Sequence, residues 1–378
     1  MLNIRNTHDR SDLRSQSLDL LRFPLAVVVL VVHVFTISEV AFGGQRLHVG
    51  DFPLFEQVRC FLDAFLRGQS VPIYYFISGY VFFLGAEMTR KVYVRKLNNR
   101  VKSLLLPYVI WTMLAVLLLI VFTCVPLGMY RAEAATLTFS WKGLLSAFWV
   151  YHGELEGRNV ESTFPLNVPL WFVRNLMVVV LCTPLLYWLL KRAKFYTVML
   201  LGLIWLVVPF CGVNTFSFEV SFFFFACGAY MSICKKDMLS IFGRHFRLFT
   251  ILYVALSVLY MMVEEPYPQL AMAVKQWNVL AGLFFAYGFS IWLLQHGVCR
   301  PNAFLSSASF FVYVSHSLIV YKIFKLLALL ICPHSDLSLL LTYVLTIVVT
   351  LSVLLVLFYL LLHYAPKVLN VMTGKKLS

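Results

Sequence analysis

The chain has 378 residues, of which 61% are apolar and only 13% charged, with 34 Phe and 19 Tyr. An ordinary soluble domain is roughly a quarter charged, and a chain this apolar carries more hydrocarbon surface than one soluble core can hide. The net charge of +14 invites a nucleic-acid reading, which the placement of the basic residues along the chain removes.

A polar segment, 1–20, comes first, and no convincing small-residue cleavage site follows the apolar run behind it. Long apolar stretches then fall at about 21–42, 71–86, 104–127, 168–190, 195–212, 217–234, 247–263, 276–296, 304–331 and 338–363. Most reach or approach the roughly 20 residues a helix needs to cross a bilayer. Stretch 71–86 is short and holds Pro72 and Gly79, and 52–66 reads either as a surface helix or as part of a longer, irregular second span. The largest outer loop, 128–167, contains "FSWKGLLSAFWVYHG", whose aromatics suit a segment lying at the membrane surface. The expected fold is therefore an all-α polytopic membrane bundle of about ten transmembrane helices. One membrane domain, 21–363, lies between the N-terminal segment 1–20 and the tail 364–378.

Sorting the 31 Lys and Arg by side of these spans puts 21 on one side and seven on the other. Arg174, Lys322 and Lys325 fall inside spans. This positive-inside bias predicts cytoplasmic termini and an inner-membrane location, with basic collars facing lipid rather than nucleic acid. The eight cysteines are scattered without CxxC or Cys/His ligand spacing, so they read as packing residues and no metal is expected. No phosphate-binding glycine loop or nucleotide fingerprint occurs.

Polar side chains inside spans are costly and face a bundle interior or a water-filled cavity. In "LRFPLAVVVLVVHVF", His33 follows Arg22 by eleven residues, so the two share a helix face about 16 Å apart along the axis. Asp19 can sit beside Arg22. His33 is either a proton acceptor in a polar cavity or a packing histidine. Tyr313 and His316, three residues apart in "FFVYVSHSLIVYKIFK", share a face and read as substrate contacts, as orienting groups or as structural hydrogen bonds. Lys322 and Lys325 beyond them suit snorkelling to the outer end, with a functional role as the alternative. Arg174, in "PLWFVRNLMVVV" behind the interfacial Trp171, either snorkels or holds an anion or sugar oxygen. Arg95, Lys96, Arg100 and Lys102 anchor topology and are suited to a phosphate-bearing cytoplasmic ligand.

Taken in order, "SLDLLRFPLAVVVLVVHVF", "VPIYYFISGYVFF", "YVRKLNNRVKSLLLPYVIW", "PLWFVRNL", "SFFFFACGAYM" and "SFFVYVSHSLIV" resemble the acyltransferase-3 family of integral membrane acyltransferases, from about residue 15 to 360. The resemblance implies transfer of an acyl group, most often acetyl from acetyl-CoA, to an extracytoplasmic glycan, lipid or related metabolite. It maps the family's first-span histidine onto His33 and its arginine onto Arg22. The family's R-x-x-R motif falls on "RVKS", with Arg100 present and Ser103 in place of the second arginine. Lys102 or Lys96 is then the compensating cation, unless the donor is held differently. On this reading His33 is the general base, and Arg22 and Arg100 lie on the donor side. Trp171 and Arg174 lie on the acceptor side, with Tyr313 and His316 supporting the cavity. Acyl-CoA is a donor substrate rather than a resident cofactor, and direct transfer and an acyl-histidine intermediate are both open. The competing class is a transporter or flippase, which would move its substrate unchanged and show paired inverted halves; the two halves of this chain have no clear resemblance.

Overall fold

A computed structural model describes residues 7–42, 45–85, 87–124, 141–155, 158–161 and 163–375. Residues 1–6 and 376–378 of the terminal segments, and 128–140, 156, 157 and 162 of the expected outer loop, lie outside the described residues. So do Arg5, Arg131 and Lys376 of the charge count.

In chain order, α1 (Thr7–Phe35) leads into an antiparallel hairpin of β1 (Glu39–Phe42) and β2 (Gln45–His48). Then come α2 (Pro53–Leu66), α3 (Ser70–Phe83) and α4 (Arg90–Arg100), which passes through a π-helical turn, Val101–Leu105, into α5 (Leu106–Cys124). The short α6 (Trp141–Ser146) precedes a second hairpin, β3 (His152–Leu155) with β4 (Arg158–Glu161), and then α7 (Trp171–Leu181), α8 (Thr183–Arg192) and α9 (Phe195–Val207). The chain continues through α10 (Phe218–Ile233), α11 (Met238–Arg244), α12 (Phe246–Val263), α13 (Pro268–Gln295), α14 (Ala303–Ile331), α15 (Asp336–Tyr364) and α16 (Pro366–Thr373). The fold is mostly helical as expected, with two hairpins that an all-α reading did not include.

The helices are built inside-out, as lipid requires. On α15, Leu337, Leu341, Val344, Val348, Val356 and Leu360 are exposed, while Thr342, Tyr343, Thr346, Thr350, Leu354 and Phe358 are buried. Both stripes recur at the helical period. Two of the buried threonines return their hydroxyls to their own helix, Thr342 to Ser338 O at 2.8 Å and Thr346 to Thr342 O at 2.7 Å. Apolar groups outward and polar groups inward is the arrangement of a protein solvated by hydrocarbon.

Among the described residues, six helices are long and apolar enough to span a membrane, or up to eight if each bent pair counts as one crossing. That is fewer than the ten expected, for local reasons. Stretch 71–86 forms only the 14-residue α3, about 21 Å long. The ambiguous stretch 52–66 is a helix of its own, α2. Stretch 195–212 gives one shorter apolar helix, Phe195–Cys211. Stretch 168–190 bends by 62° between α7 and α8. Pro184 has no N–H for Val180 O, and Thr183 Oγ1 caps that carbonyl at 2.7 Å instead. Pro107 acts alike on the basic helix: it cannot donate to Ser103 O, and the π-helical turn just before it absorbs the mismatch.

The chain divides into two compact units, one of Met1–Val28, Cys60–Lys96 and Val178–Ser309, the other of Val29–Arg59, Leu97–Met177 and Phe310–Ser378. In the first, α3 lies against α10 so closely that a Cβ on Gly79 would stand 2.0 Å from Phe225 O, and one on Gly228 would stand 1.9 Å from Phe76 O. Small residues let helix backbones approach in this way. Gly228→Val should therefore force the two helices apart and prevent recovery of monodisperse protein in detergent, whereas a surface Leu203→Val should leave recovery unchanged. In the second unit, Trp111 on α5 donates to Met372 O at 2.9 Å and packs on Phe311 of α14, which in turn meets Phe358 of α15. Tyr343 hydrogen-bonds to Ile37 O and packs against Phe35, Phe55 and Phe324.

Candidate active site

In the second unit His33 and His316 meet edge to face, their ring centroids 4.8 Å apart and their planes at 62°. His33 Nδ1 lies 2.8 Å from Val29 O, one turn back on its own helix. A carbonyl only accepts, so Nδ1 carries the proton and Nε2 is the basic nitrogen. His316 repeats the arrangement, with Nδ1 3.2 Å from Val312 O. Its ring is fully buried, and its Nε2 has no hydrogen-bond partner among the described residues. His33 is only partly buried. A reachable imidazole thus stands against an enclosed one, each presenting the nitrogen able to take a proton.

Helix α14 also fixes the entry to α7. Tyr313 donates its hydroxyl to Pro169 O at 2.7 Å, and its ring meets Phe172 edge-on. Asn167, 1% exposed, donates to Val314 O at 3.0 Å and accepts from Ser317 Oγ at 2.7 Å. Tyr313 is 6.4 Å from His316 between ring centroids, so one helix carries both the buried histidine and the clamp on the turn leading to Trp171 and Arg174. The hydroxyl proton of Tyr313 is spent on the Pro169 carbonyl.

Arg174 does not snorkel. It is 1% exposed, donates through Nη1 to Trp149 O at 2.6 Å and Thr163 O at 3.3 Å, and through Nε to Asn175 Oδ1 at 3.0 Å. Its guanidinium lies 5.2 Å from the centre of the Trp149 ring. The charge therefore ties the carbonyls of Trp149 and Thr163 to α7. Charge-assisted bonds of this kind contribute about 1.5–3 kcal/mol each. Arg174→Met should lower the melting temperature in detergent by several degrees, read by tryptophan fluorescence, with Arg174→Lys falling between. Trp171 at the start of α7 is partly buried beside Phe164.

The basic segment separates into different environments. Lys96, in the first unit, gives its ammonium to Phe82 O and lies 4.9 Å from the Phe82 ring centre, which makes it an anchor for the end of α3. In the second unit, Arg100 stands just before the π-helical turn and Lys102 lies within it, Arg100 partly buried and Lys102 exposed. Ser103 is covered by the C-terminal segment: a Cβ on Gly374 would lie 2.5 Å from Ser103 Cα, and Gly374 has a φ of +64° that suits glycine. Lys375, the next residue, is exposed. Arg22, in the first unit, pairs with Asp19 at 2.6 Å, and its backbone carbonyl accepts from Tyr74 at 2.6 Å. Lys322 bonds back to Leu318 O at 2.9 Å, and Lys325 is 2% exposed, buried rather than snorkelling.

Three residues of this arrangement are absent from the reading of the sequence. Asn167 and Ser317 form the clamp between α14 and the turn before α7; the only signal is an Asn just ahead of "VPLW". Tyr151 lies in the aromatic run that Arg174 holds, and its buried hydroxyl has no hydrogen-bond partner among the described residues. Burial pushes this phenol up from its ordinary range, so it keeps its proton and stays a donor.

No solved structure matches this chain. It is 28% identical over 189 residues to the succinoglycan biosynthesis protein ExoH of Rhizobium meliloti (strain 1021), a match that spans 49% of this chain and 46% of that protein. This chain thus spans about half the length of the curated relative it matches. Residues 15–359 match the acyltransferase-3 family, described as an acyltransferase domain. With its long apolar helices, the chain is a polytopic membrane protein that belongs to the acyltransferase-3 family.

Proposed function

We propose that this protein transfers an acyl group, acetyl in the first instance, from acyl-CoA to a hydroxyl of an extracytoplasmic glycan, lipid or related metabolite. The observation that carries the reading is the His33–His316 pair, 4.8 Å apart with both Nδ1 atoms committed to carbonyls. Its likeness to a protein of succinoglycan biosynthesis makes a glycan the first acceptor to try.

In the proposed reaction the acceptor oxygen attacks the thioester carbonyl while its proton passes to His33 Nε2. The tetrahedral oxyanion then collapses, the carbon–sulfur bond breaks, and the imidazolium returns the proton to the departing thiolate. Products are an acyl ester and free CoA, with no oxidant or metal in the balance. Two imidazolium charges at this separation repel, so the pair shares one added proton at a time, and neutral His316 supports the charged His33 ring. Arg22, Arg100 and Lys102 lie on the donor side of the reaction. Lys96 serves by anchoring the segment. Trp171 and Tyr151 face the acceptor, and Arg174, Tyr313 and Asn167 position the elements that carry them. Both termini lie in the cytoplasm, and the protein resides in the cytoplasmic membrane, as the basic collars indicate.

The test is to feed labelled acetate to cells with and without the chain and count alkali-labile label in envelope glycan and lipid. Label that depends on the chain supports the reading; equal label in both, with the protein present in the membrane, contradicts it.

A further inference from the structure

A cavity of 520 Å³ opens in the first unit among α1, the end of α3, α8 and the turn joining α10 to α11. Small-molecule sites run from about 300 to 1,000 Å³. Four cations line it, Arg14, Lys191, Lys235 and Lys236, against two acids, Glu87 and Asp237. In the sequence these cations read only as separate parts of the basic collars. Folding brings them to one concave surface with aromatic walls. The Arg14 guanidinium lies 5.8 Å from the Tyr80 ring centre, and Lys191 Nζ lies 5.6 Å from that of Tyr187. Tyr187 is itself stacked on Phe83, with centroids 5.8 Å apart and planes at 10°. Ser232 Oγ, on the wall, is buried without a hydrogen-bond partner among the described residues. Lys235 adopts a φ of +50°, a backbone that glycine would adopt at less cost.

We propose that this cavity takes the nucleotide end of the acyl-CoA donor, a phosphorylated adenosine; the proposal rests on the acyl-CoA reading above. The four cations match a multiply charged phosphate ester. The ring pair of Phe83 and Tyr187 offers a surface for stacking a base. Glu87 and Asp237 are placed to accept from the exocyclic amine and the ribose hydroxyls. An anionic phospholipid headgroup shares the phosphate but has no ring to stack, so the aromatic wall favours the nucleotide.

The probe is adenosine 3′,5′-bisphosphate, titrated by calorimetry into purified full-length protein in phosphatidylcholine nanodiscs, and again in nanodiscs doped with phosphatidylglycerol. Wild type should bind with an affinity that falls steeply with salt. The double variant Lys191→Gln/Lys236→Gln should bind about tenfold more weakly or worse, while Lys191→Arg/Lys236→Arg retains binding and shows that the site still folds. The Gln variant should also raise KM for acetyl-CoA far more than it lowers kcat. Undiminished nucleotide binding by the Gln variant overturns the proposal, as does a wild type that binds phosphatidylglycerol through Lys191 but not the nucleotide. If CoA itself binds both forms equally, the cavity assignment fails and the donor reading stands. If CoA does not bind wild type, the donor reading fails and the cavity assignment falls with it.

Discussion

His33→Ala should lower kcat for acyl transfer by about 10²–10⁴-fold while leaving the affinity for acetyl-CoA within a factor of two or so. The reasoning is geometric. Nδ1 is committed to Val29 O at 2.8 Å, so the proton acceptor is Nε2, on a ring that is only partly buried. On the proposed mechanism, removing the ring removes the base and leaves the donor-side cations in place. Rapid-quench measurement of the chemical step at saturating donor, beside equilibrium binding of CoA on the same preparation, separates the two quantities. Unchanged kcat with intact binding would remove His33 from the chemistry. Loss of both would point to a broken fold, which the binding measurement detects.

His316→Leu should also cost activity, by roughly 10–100-fold in kcat, because a side chain of similar size keeps the packing but deletes Nε2. His316 is fully buried and its ring touches His33, so its effect passes through the other imidazole. That makes it a positioning residue. His316→Asn, which keeps a polar atom near the Nδ1 end, should not restore the rate, because Nδ1 serves only the carbonyl of Val312. The distinguishing readout is the pH–rate profile: loss of the neighbouring ring should move the acidic limb, on which a general base takes up its proton, whereas a merely loosened fold lowers the whole profile without displacing it. A profile of unchanged shape and height would refute the pairing.

The long apolar runs were legible because burial in lipid asks only for length and hydrophobicity, and α12, α13, α14 and α15 fall where those runs do. Breaks inside the runs were harder to read. Pro184 and Pro107 both stand in the first turn of a helix, where proline is well tolerated, yet one accompanies a 62° bend and the other a π-helical turn. Asp19 beside Arg22 followed from a three-residue helical spacing and is present at 2.6 Å. The contact between His33 and His316 had no such signal, since the residues lie near opposite ends of the chain and no local spacing relates them. For the same reason the fate of Arg174 was open: an arginine near a helix end reads as exposed until the carbonyls of Trp149 and Thr163 fold over it. Ser103 looked like a lost cation, and only the tertiary fold sets Gly374 against it.

One experiment weighs acyl transfer against transport. Purified protein in proteoliposomes would receive acetyl-CoA labelled in the acetyl group, with an envelope glycan fraction as acceptor, and free CoA thiol and ester-linked label would be counted in the same tube. Acyl transfer predicts one thiol released for each ester formed, both lost in His33→Ala. Passage of a labelled glycan across the bilayer without ester formation or thiol release would contradict it and assign the protein to transport.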